Sequence, residues 1–180
     1  DVMVLPETFV VFANNNDGGR YDEDIVVIID IGGFTTNICK IEYGAFNLNH
    51  CYSSPHGMYH LDTKVAQYLS KKYSVNNFSC TDKDIPRYRK NGLYLDSIKG
   101  NVMDIEKDNI ENIYKSFVGD IINSYIKMGW TISDYHKIIT GGGGLTLYNT
   151  IKEYYFKNAI LSKNPIFDNY IGLDIISSYL

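Results

Sequence analysis

The chain has 180 residues, which is the size of one domain or of two very small ones. Its 44% hydrophobic, 14% aromatic and 21% charged residues are typical of a globular protein and exclude disorder over the whole chain. The net charge is -4 and the 17 Lys and Arg residues are dispersed, which argues against direct binding to duplex DNA, because phosphate binding requires clustered basic residues.

Apolar segments in the first third of the chain predict short elements followed by a β-meander. Residues 2–5 fit a strand that Pro6 stops, and residues 8–13 fit a short helix or a strand. The β-branched run that begins at Ile25 has apolar side chains on both faces, which is typical of a strand buried on both sides. Tight glycine turns and alternating apolar residues then predict three consecutive strands, over residues 25–29, 35–43 and 45–52.

Helices are predicted where apolar residues recur at positions i, i+3 and i+4. One stripe covers residues 58–69, and a longer one covers residues 110–128, after which Gly129 fits a helix C-cap. Between them, Leu93–Leu95 fits a short strand. The remaining elements are predicted as a strand over residues 136–140 and helices over residues 145–156 and 168–180, the last one capped by Asp168. This order predicts an α/β domain in which helices flank a mixed sheet.

A glycine hairpin follows Asp30 at the end of the first meander strand, in the segment DIGGFTTN. Glycines let the backbone approach a ligand closely, and successive N–H groups in such a turn form an anion-binding concavity. A neighbouring carboxylate can hold a hydrated Mg²⁺ ion. The hairpin therefore predicts a phosphate site, and the alternative is an ordinary β-hairpin with a chance aspartate.

Four consecutive glycines, Gly141–Gly144, follow the strand at residues 136–140. Ordering four glycines costs backbone entropy. They therefore indicate either a flat ligand that approaches the backbone closely, for which the N-terminus of the next helix supplies donors, or a flexible turn. The segment lacks the Gly-Lys-Ser/Thr of a P-loop. It also lacks the GxGxxG fingerprint, because Leu147 occupies the last glycine position.

The two glycine motifs together resemble those of the actin, hexokinase and heat-shock-chaperone ATPase superfamily. Residues 30–37 look like its second phosphate hairpin, and residues 138–145 (IITGGGGL) look like its adenosine motif. Within the superfamily the chain is most similar to the ParM/StbA actin-like proteins that segregate bacterial plasmids. That similarity rests on Pro6-Glu7, Gly57-Met58 and Tyr170–Leu173.

The resemblance implies an actin-like, ribonuclease H-like α/β domain that corresponds to the second half of such a protein. Residues 1–57 and 106–180 would form subdomain IIA, residues 58–105 would form an inserted subdomain IIB, and domain I would be absent.

The resemblance also implies a site for ATP or GTP with Mg²⁺. Asp30 would position the Mg²⁺ ion through water. The backbone amides of Gly32, Gly33 and Phe34, together with Thr35, would hold the β- and γ-phosphates.

Two residues would act on the attacking water. Glu7 would orient or activate it, and Asn37, at a position where these plasmid proteins commonly carry Asp, would orient it without acting as a base. Gly141, Gly142 and Gly143 would line the adenosine.

The complete protein implied by the resemblance is a filament-forming ATPase of the bacterial cytoplasm. It would self-associate and reach plasmid DNA through a ParR-like adaptor, with no direct DNA contact and no membrane. Apart from Asp30-Ile31-Gly32, which belongs to the second hairpin, these 180 residues contain no Asp-x-Gly strand turn with a nearby Lys. The family's first phosphate loop is therefore not found, and we expect weak nucleotide binding without turnover. The alternatives are a non-catalytic module that caps actin-like filaments, or half of another superfamily ATPase, such as a chaperone, division protein or sugar kinase.

Other reactive side chains indicate less. Cys39, Cys51 and Cys80 show no CxxC spacing, so we interpret them as reduced thiols. The histidines at positions 50, 56 and 60 have no obvious carboxylate or thiol to complete a tetrahedral set, which favours surface histidines over a zinc site.

Overall fold

The computed structural model describes residues 6–127, 129 and 135–178, so the strand expected at residues 2–5 lies outside the described part. The strands are β1 (Ile25–Ile31), β2 (Thr36–Glu42), β3 (Ala45–Ser54), β4 (His136–Thr140) and β5 (Ala159–Leu161). The helices are α1 (Glu7–Asn15), α2 (Met58–Lys72), α3 (Ile85–Asn91), α4 (Val102–Ile105), α5 (Lys107–Lys127), α6 (Gly141–Tyr154) and α7 (Asp168–Ser177). None of the described helices is both long enough and apolar enough to cross a membrane.

The five strands form one mixed sheet in the order β3-β2-β1-β4-β5. Strands β1, β2 and β3 pair in antiparallel fashion, whereas β4 pairs parallel with both β1 and β5. The predicted meander and mixed sheet are therefore confirmed. Strand β5 was not predicted, because its three residues are too few to show a period.

Strand β1 lies at the centre of the sheet and packs on both faces. Val27 and Ile29 belong to a core cluster shared with α5 and α6, and Val26 and Ile28 belong to a second cluster under α1. Because side chains alternate along a strand, Asp30 follows Val26 and Ile28 onto the face that α1 covers. Burial on both faces explains the continuous apolar run, and it places the only acid of β1 beside α1.

Helices α1 and α7 pack against each other at very short range. A Cβ atom added to Gly172 would lie 1.9 Å from the carbonyl oxygen of Val10. Asn14 Nδ2 donates to Asp168 Oδ1 at 2.6 Å across the same seam. The expected capping role of Asp168 is wrong: it is the first helical residue of α7, makes no cap bond, and is instead buried against Asn14 and Thr140.

Two further sequence-based boundaries differ from the structure. Helix α6 spans Gly141–Tyr154 rather than residues 145–156. It begins earlier because the glycines form its first turn, where the Gly141 amide donates to Pro165 O at 2.9 Å. No strand forms over Leu93–Leu95. There the amide and carbonyl of Leu93 instead bond to the Asn101 side chain and the Val102 amide.

The segment around α2, α3 and α4 has its own small core. Its buried members are Val65, Ala66, Leu69, Tyr73, Ile85, Leu93, Val102 and Ile110. The subdomain boundaries of 1–57 with 106–180, and of 58–105, remain a prediction.

Glu106 is the polar centre of that small core. Its carboxylate is 2% exposed and accepts hydrogen bonds from Tyr68, Tyr73 (2.7 Å) and Asn109 (2.9 Å), with Lys72 Nζ at 3.1 Å. Burial alone raises the pKa of Glu106, but the hydrogen bonds outweigh burial and lower the pKa to about 2.

We expect this carboxylate to make the small core sensitive to acid. Its folded pKa lies below the unfolded value, so its contribution is complete above the unfolded pKa and is lost as the pH falls towards 2. In Glu106→Gln, that part of the pH dependence of the unfolding free energy should disappear, with a loss of about 2–3 kcal/mol at pH 7. Urea unfolding at several pH values measures this, and a wild-type slope in the variant would contradict it.

Candidate functional site

A cavity of about 220 Å³ lies where the carboxyl ends of β1 and β4 meet the first residues of α1, α6 and α7. Residues that the sequence singled out line much of it: Glu7, Asp30, Gly32, Thr35, Asn37, Gly141 and Gly142. The two glycine motifs, distant in sequence, meet because β1 and β4 are parallel neighbours that pair Asp30 with Thr140. Ligand sites in α/β sheets are commonly found at this edge of the sheet.

The carbonyl groups of the glycine hairpin are held by the start of α2. Met58 N donates to Gly32 O at 3.0 Å, and Tyr59 N donates to Gly33 O at 2.8 Å. This contact requires glycine at position 57, where a Cβ atom would lie 2.6 Å from Gly33 O. Because the amides at the start of α2 bind the hairpin carbonyls, the hairpin is held in place, and its own amides do not point towards α2.

Two of the three hairpin amides are available to a ligand. The Gly32 amide closes the turn on Thr35 O at 2.9 Å, but the amides of Gly33 and Phe34 have no acceptor among the described residues. The Phe34 side chain is 72% exposed and its ring centroid lies 5.8 Å from that of Tyr59. Gly33 and Phe34 lie outside the cavity lining, so they border the site rather than enclose it.

Two of the four glycines of α6 are in close contact with β1. Gly141 has φ +80°, and a Cβ atom there would lie 2.4 Å from Ile31 O and 2.5 Å from Asp30 Oδ1. Gly143 is buried, and a Cβ atom there would lie 2.5 Å from Ile31 Cγ2 and 2.7 Å from Met58 Cγ. Gly141 therefore brings α6 onto the Asp30 carboxylate, whereas Gly143 packs away from the cavity.

Asp30 is the buried acid of the site, with 7% of its surface exposed. Burial raises its pKa to about 6, the negative charge of Glu7 adds to the rise, and a hydrogen bond from Asn169 opposes it. When burial disfavours the charge of a carboxylate in this way, a nearby cation stabilises its ionised form. A strongly shifted acid in a cleft is typical of a functional site.

Glu7 and Asn37 lie in contact at the mouth of the cavity. Asn37 Nδ2 donates to Glu7 Oε2 at 3.4 Å, and Asn37 Oδ1 accepts from Ser53 Oγ at 2.7 Å. Asn37 is also the β2 residue that pairs with Asp30 of β1. The structure thus brings together the two residues expected to act on water and places them beside the expected Mg²⁺ residue.

No family model matches the sequence, and no curated protein matches it. The fold does match solved structures. A non-polymerisable quadruple mutant of pCBH ParM is 18% identical with a TM-score of 0.75, covering 99% of this chain and 55% of that one. A 15-stranded ParM filament from Clostridium botulinum is 22% identical with a TM-score of 0.75, covering 99% and 53%. The chain has an actin-like fold.

A second kind of actin-like protein matches equally well. MreB5 of Spiroplasma citri bound to AMPPNP is 16% identical with a TM-score of 0.74, covering 99% of this chain and 60% of that one. The expected resemblance to ParM and the actin-like fold class are confirmed at the level of fold. This chain spans a little over half the length of these actin-like structures.

The cavity is also lined by residues that the sequence did not indicate as part of a site. They are Thr140, Pro165, Ile166, Asp168 and Asn169. The Oδ1 atom of Asn169 is buried without a hydrogen-bond donor among the described residues, so it is an acceptor without a partner beside Asp30. Two sequence signals lay nearby: the match at residues 170–173, which pointed to the family, and Asp168, which was interpreted as a helix cap. Neither indicated a ligand contact.

Two arginines of α3, Arg87 and Arg89, make their contacts away from the cavity. Arg89 forms an ion pair with Asp62 and donates to Tyr114 Oη at 2.9 Å. Arg87 lies 3.3 Å from Asp84. Neither arginine lines the cavity. No group of three or more His, Cys, Asp or Glu side chains able to hold a metal ion is found in the described ranges.

Proposed function

We propose that this chain forms one wall of a Mg-nucleotide site in an actin-like ATPase whose filaments segregate plasmid DNA. The observation that carries the proposal is the meeting of Asp30, the glycine hairpin and Gly141 in one cavity. Positioning and electrostatics supply most of the catalysis in phosphoryl transfer, and these residues offer both.

The residues present fit ATP or GTP with Mg²⁺. The amides of Gly33 and Phe34, with Thr35, are donors for the β- and γ-phosphates, and the buried carboxylate of Asp30 attracts the hydrated ion. The bound ion neutralises phosphate charge. Glu7 and Asn37, already hydrogen-bonded, orient the attacking water. Gly142, where an added Cβ atom would meet nothing within 4 Å, leaves room for the adenosine beside Gly141.

The wall needs a second half to close over the nucleotide. A volume of 220 Å³ is below the roughly 300–1,000 Å³ of ligand pockets that bury most of their ligand. Large apolar side chains at and beside the cavity are exposed, as is expected of a surface that another domain covers: Phe34, Ile166, Phe167 and Tyr170. The 180 residues therefore bind nucleotide weakly and do not turn it over.

The complete protein acts in the bacterial cytoplasm by self-association. Filaments among the matching structures support this part of the proposal. The net charge of -4 disfavours direct contact with DNA, so a ParR-like adaptor bound to DNA links the filament to the plasmid.

The first prediction from this proposal concerns Asp30. Wild-type chain should bind fluorescent ATP or GTP analogues more tightly with Mg²⁺ than with a chelator, and Asp30→Asn should weaken the Mg²⁺-dependent binding about 10- to 100-fold. Fluorescence titration measures both. The charge-matched control is Asp108→Asn, at an exposed position in the first turn of α5, which should bind as wild type does.

Unfolding of the variant does not explain such a loss. The folded pKa of Asp30 lies above its unfolded value, so at neutral pH the ionised carboxylate costs stability, and Asn removes that cost. Equal Mg²⁺ dependence in wild type and Asp30→Asn, with both folded, would contradict the assigned role.

The second prediction concerns Glu7. In a complete protein, Glu7→Ala should still assemble but should release phosphate about 100-fold more slowly, since a positioned acid–base group typically contributes 10²–10⁴-fold. Light scattering follows assembly and a coupled phosphate assay follows hydrolysis. Glu23→Ala, which removes a charge from an exposed loop, is the control. An unchanged hydrolysis rate in Glu7→Ala rejects its role.

A further inference from the structure

Cys39 and Cys51 form a thiol pair that the proposed nucleotide site does not use. They lie directly opposite each other on β2 and β3, and their sulfur atoms are 2.6 Å apart. Both cysteines are unbonded thiols. We propose that this pair is an oxidation site, at which a peroxide produces an intramolecular disulfide between Cys39 and Cys51 while Cys80 remains a thiol.

The backbone already meets the geometric requirement for that bond. Opposite residues of an antiparallel pair have Cα atoms about 4.5–5.5 Å apart, within the range of about 4.4–6.8 Å that a disulfide needs. The register of β2 and β3 can therefore stay as it is when the bond forms. Cys80 lies in the small core near α2, where its thiol contacts Ser70 Oγ at 3.6 Å and Ala66 O at 3.6 Å.

The two thiols differ in access, which assigns their order of reaction. Cys51 is half-buried and lines a cavity of about 410 Å³ on the protein surface, together with Glu7 and Asn37. Cys39 is fully buried, and burial, with its neighbour Cys51, raises the pKa of its thiol. A small oxidant reaches Cys51 first.

The chemistry balances with a peroxide as the oxidant. The Cys51 sulfur attacks one peroxide oxygen and becomes a sulfenic acid as the O–O bond breaks. The other oxygen takes the Cys51 thiol proton and leaves as an alcohol or as water. The Cys39 sulfur then attacks the Cys51 sulfur, the S–O bond breaks, and the departing hydroxide takes the Cys39 proton and leaves as water. In total two thiols lose two hydrogen atoms and one peroxide is consumed.

The pair is adjacent to the residues at the mouth of the candidate site. Along β2 and β3 the next pair on the same face is Asn37 with Ser53, and Asn37 in turn donates to Glu7. A covalent bond at the Cys39–Cys51 pair therefore ties together the strands that hold Asn37 and Ser53. Strand register brings the two thiols together, so the disulfide forms whether or not the chain binds nucleotide.

Counting free thiols after oxidation tests the proposal. The chain is treated with hydrogen peroxide, denatured without reductant, alkylated with N-ethylmaleimide, and analysed by intact mass and peptide mapping. We expect two of the three alkylation sites to be lost, with a peptide that joins Cys39 to Cys51 and with recovery after reduction. Three alkylated cysteines, or a disulfide that includes Cys80, would overturn the proposal.

Two variants make the result specific. Cys80→Ser should lose all alkylation after oxidation, since only the pair remains. Cys39→Ser should give no intramolecular disulfide and instead a sulfenic acid at Cys51 that dimedone traps. If Cys39→Ser still forms an intramolecular disulfide, the assigned pairing is wrong.

Discussion

Gly141→Ala should destabilise the chain by about 2–5 kcal/mol. The substitution forces an alanine to φ +80°, which costs about 1–2 kcal/mol for a residue with a Cβ atom. It also places that Cβ atom 2.4 Å from Ile31 O and 2.5 Å from Asp30 Oδ1, so α6 and β1 must separate at a cost of about 1–3 kcal/mol. Urea unfolding followed by circular dichroism measures the loss.

The neighbouring glycine provides a matched control. A Cβ atom added to Gly142 meets nothing within 4 Å, and alanine favours a helix by about 1 kcal/mol over glycine. Gly142→Ala should therefore unfold at the same or a slightly higher urea concentration than wild type. Equal stability of the two variants would mean that α6 does not need its close approach to Asp30.

Gly172→Ala should lower the free energy of unfolding by a comparable amount, because it disturbs the contact between α1 and α7 beside the cavity. The added Cβ atom would lie 1.9 Å from Val10 O, a backbone atom that can move only if α1 moves with it. We expect a loss of about 3 kcal/mol or more, because α7 must move away from α1 and the bond from Asn14 to Asp168 lengthens. Hydrogen exchange should show faster exchange in both helices.

Leu173→Ala is the control for this seam. Leu173 is the next residue of α7 and is 54% exposed, so its truncation should change the unfolding free energy by no more than about 0.5 kcal/mol. If Gly172→Ala unfolds like Leu173→Ala, the helices tolerate a wider spacing, and the positions of Glu7 and Asn169 do not depend on it.

The sequence was sufficient to predict four of the five strands and seven of the twelve residues that line the cavity. The apolar run from Ile25 to Ile29 predicted a strand buried on both faces, because a central strand has no polar side. Gly141 marked a close approach of backbone, because its φ of +80° and the 2.4 Å from an added Cβ atom to Ile31 O exclude other residue types. Such features are local, so the residue types at these positions indicate them directly.

What the sequence did not show depends on tertiary contacts. Glycine has low helix propensity, so Gly141 did not predict the start of α6. A hydrogen bond from the Gly141 amide to Pro165 O stabilises that start in the folded chain. Asp168 has the chemistry of a helix cap, but Asn14 and Thr140 bind it in the folded chain. Asn169 joined the site only because α7 packs on α1 beside β1.

The contact between α1 and α7 has a consequence for how the molecule folds. The bond from Asn14 to Asp168 closes a loop of 154 residues, whereas the meander of β1, β2 and β3 uses only neighbouring segments. Loop closure costs more entropy as the loop lengthens, and long-range contacts slow folding. The meander, with Asp30 and the hairpin, can therefore form early during synthesis. The cavity around it can close only after α7 has left the ribosome.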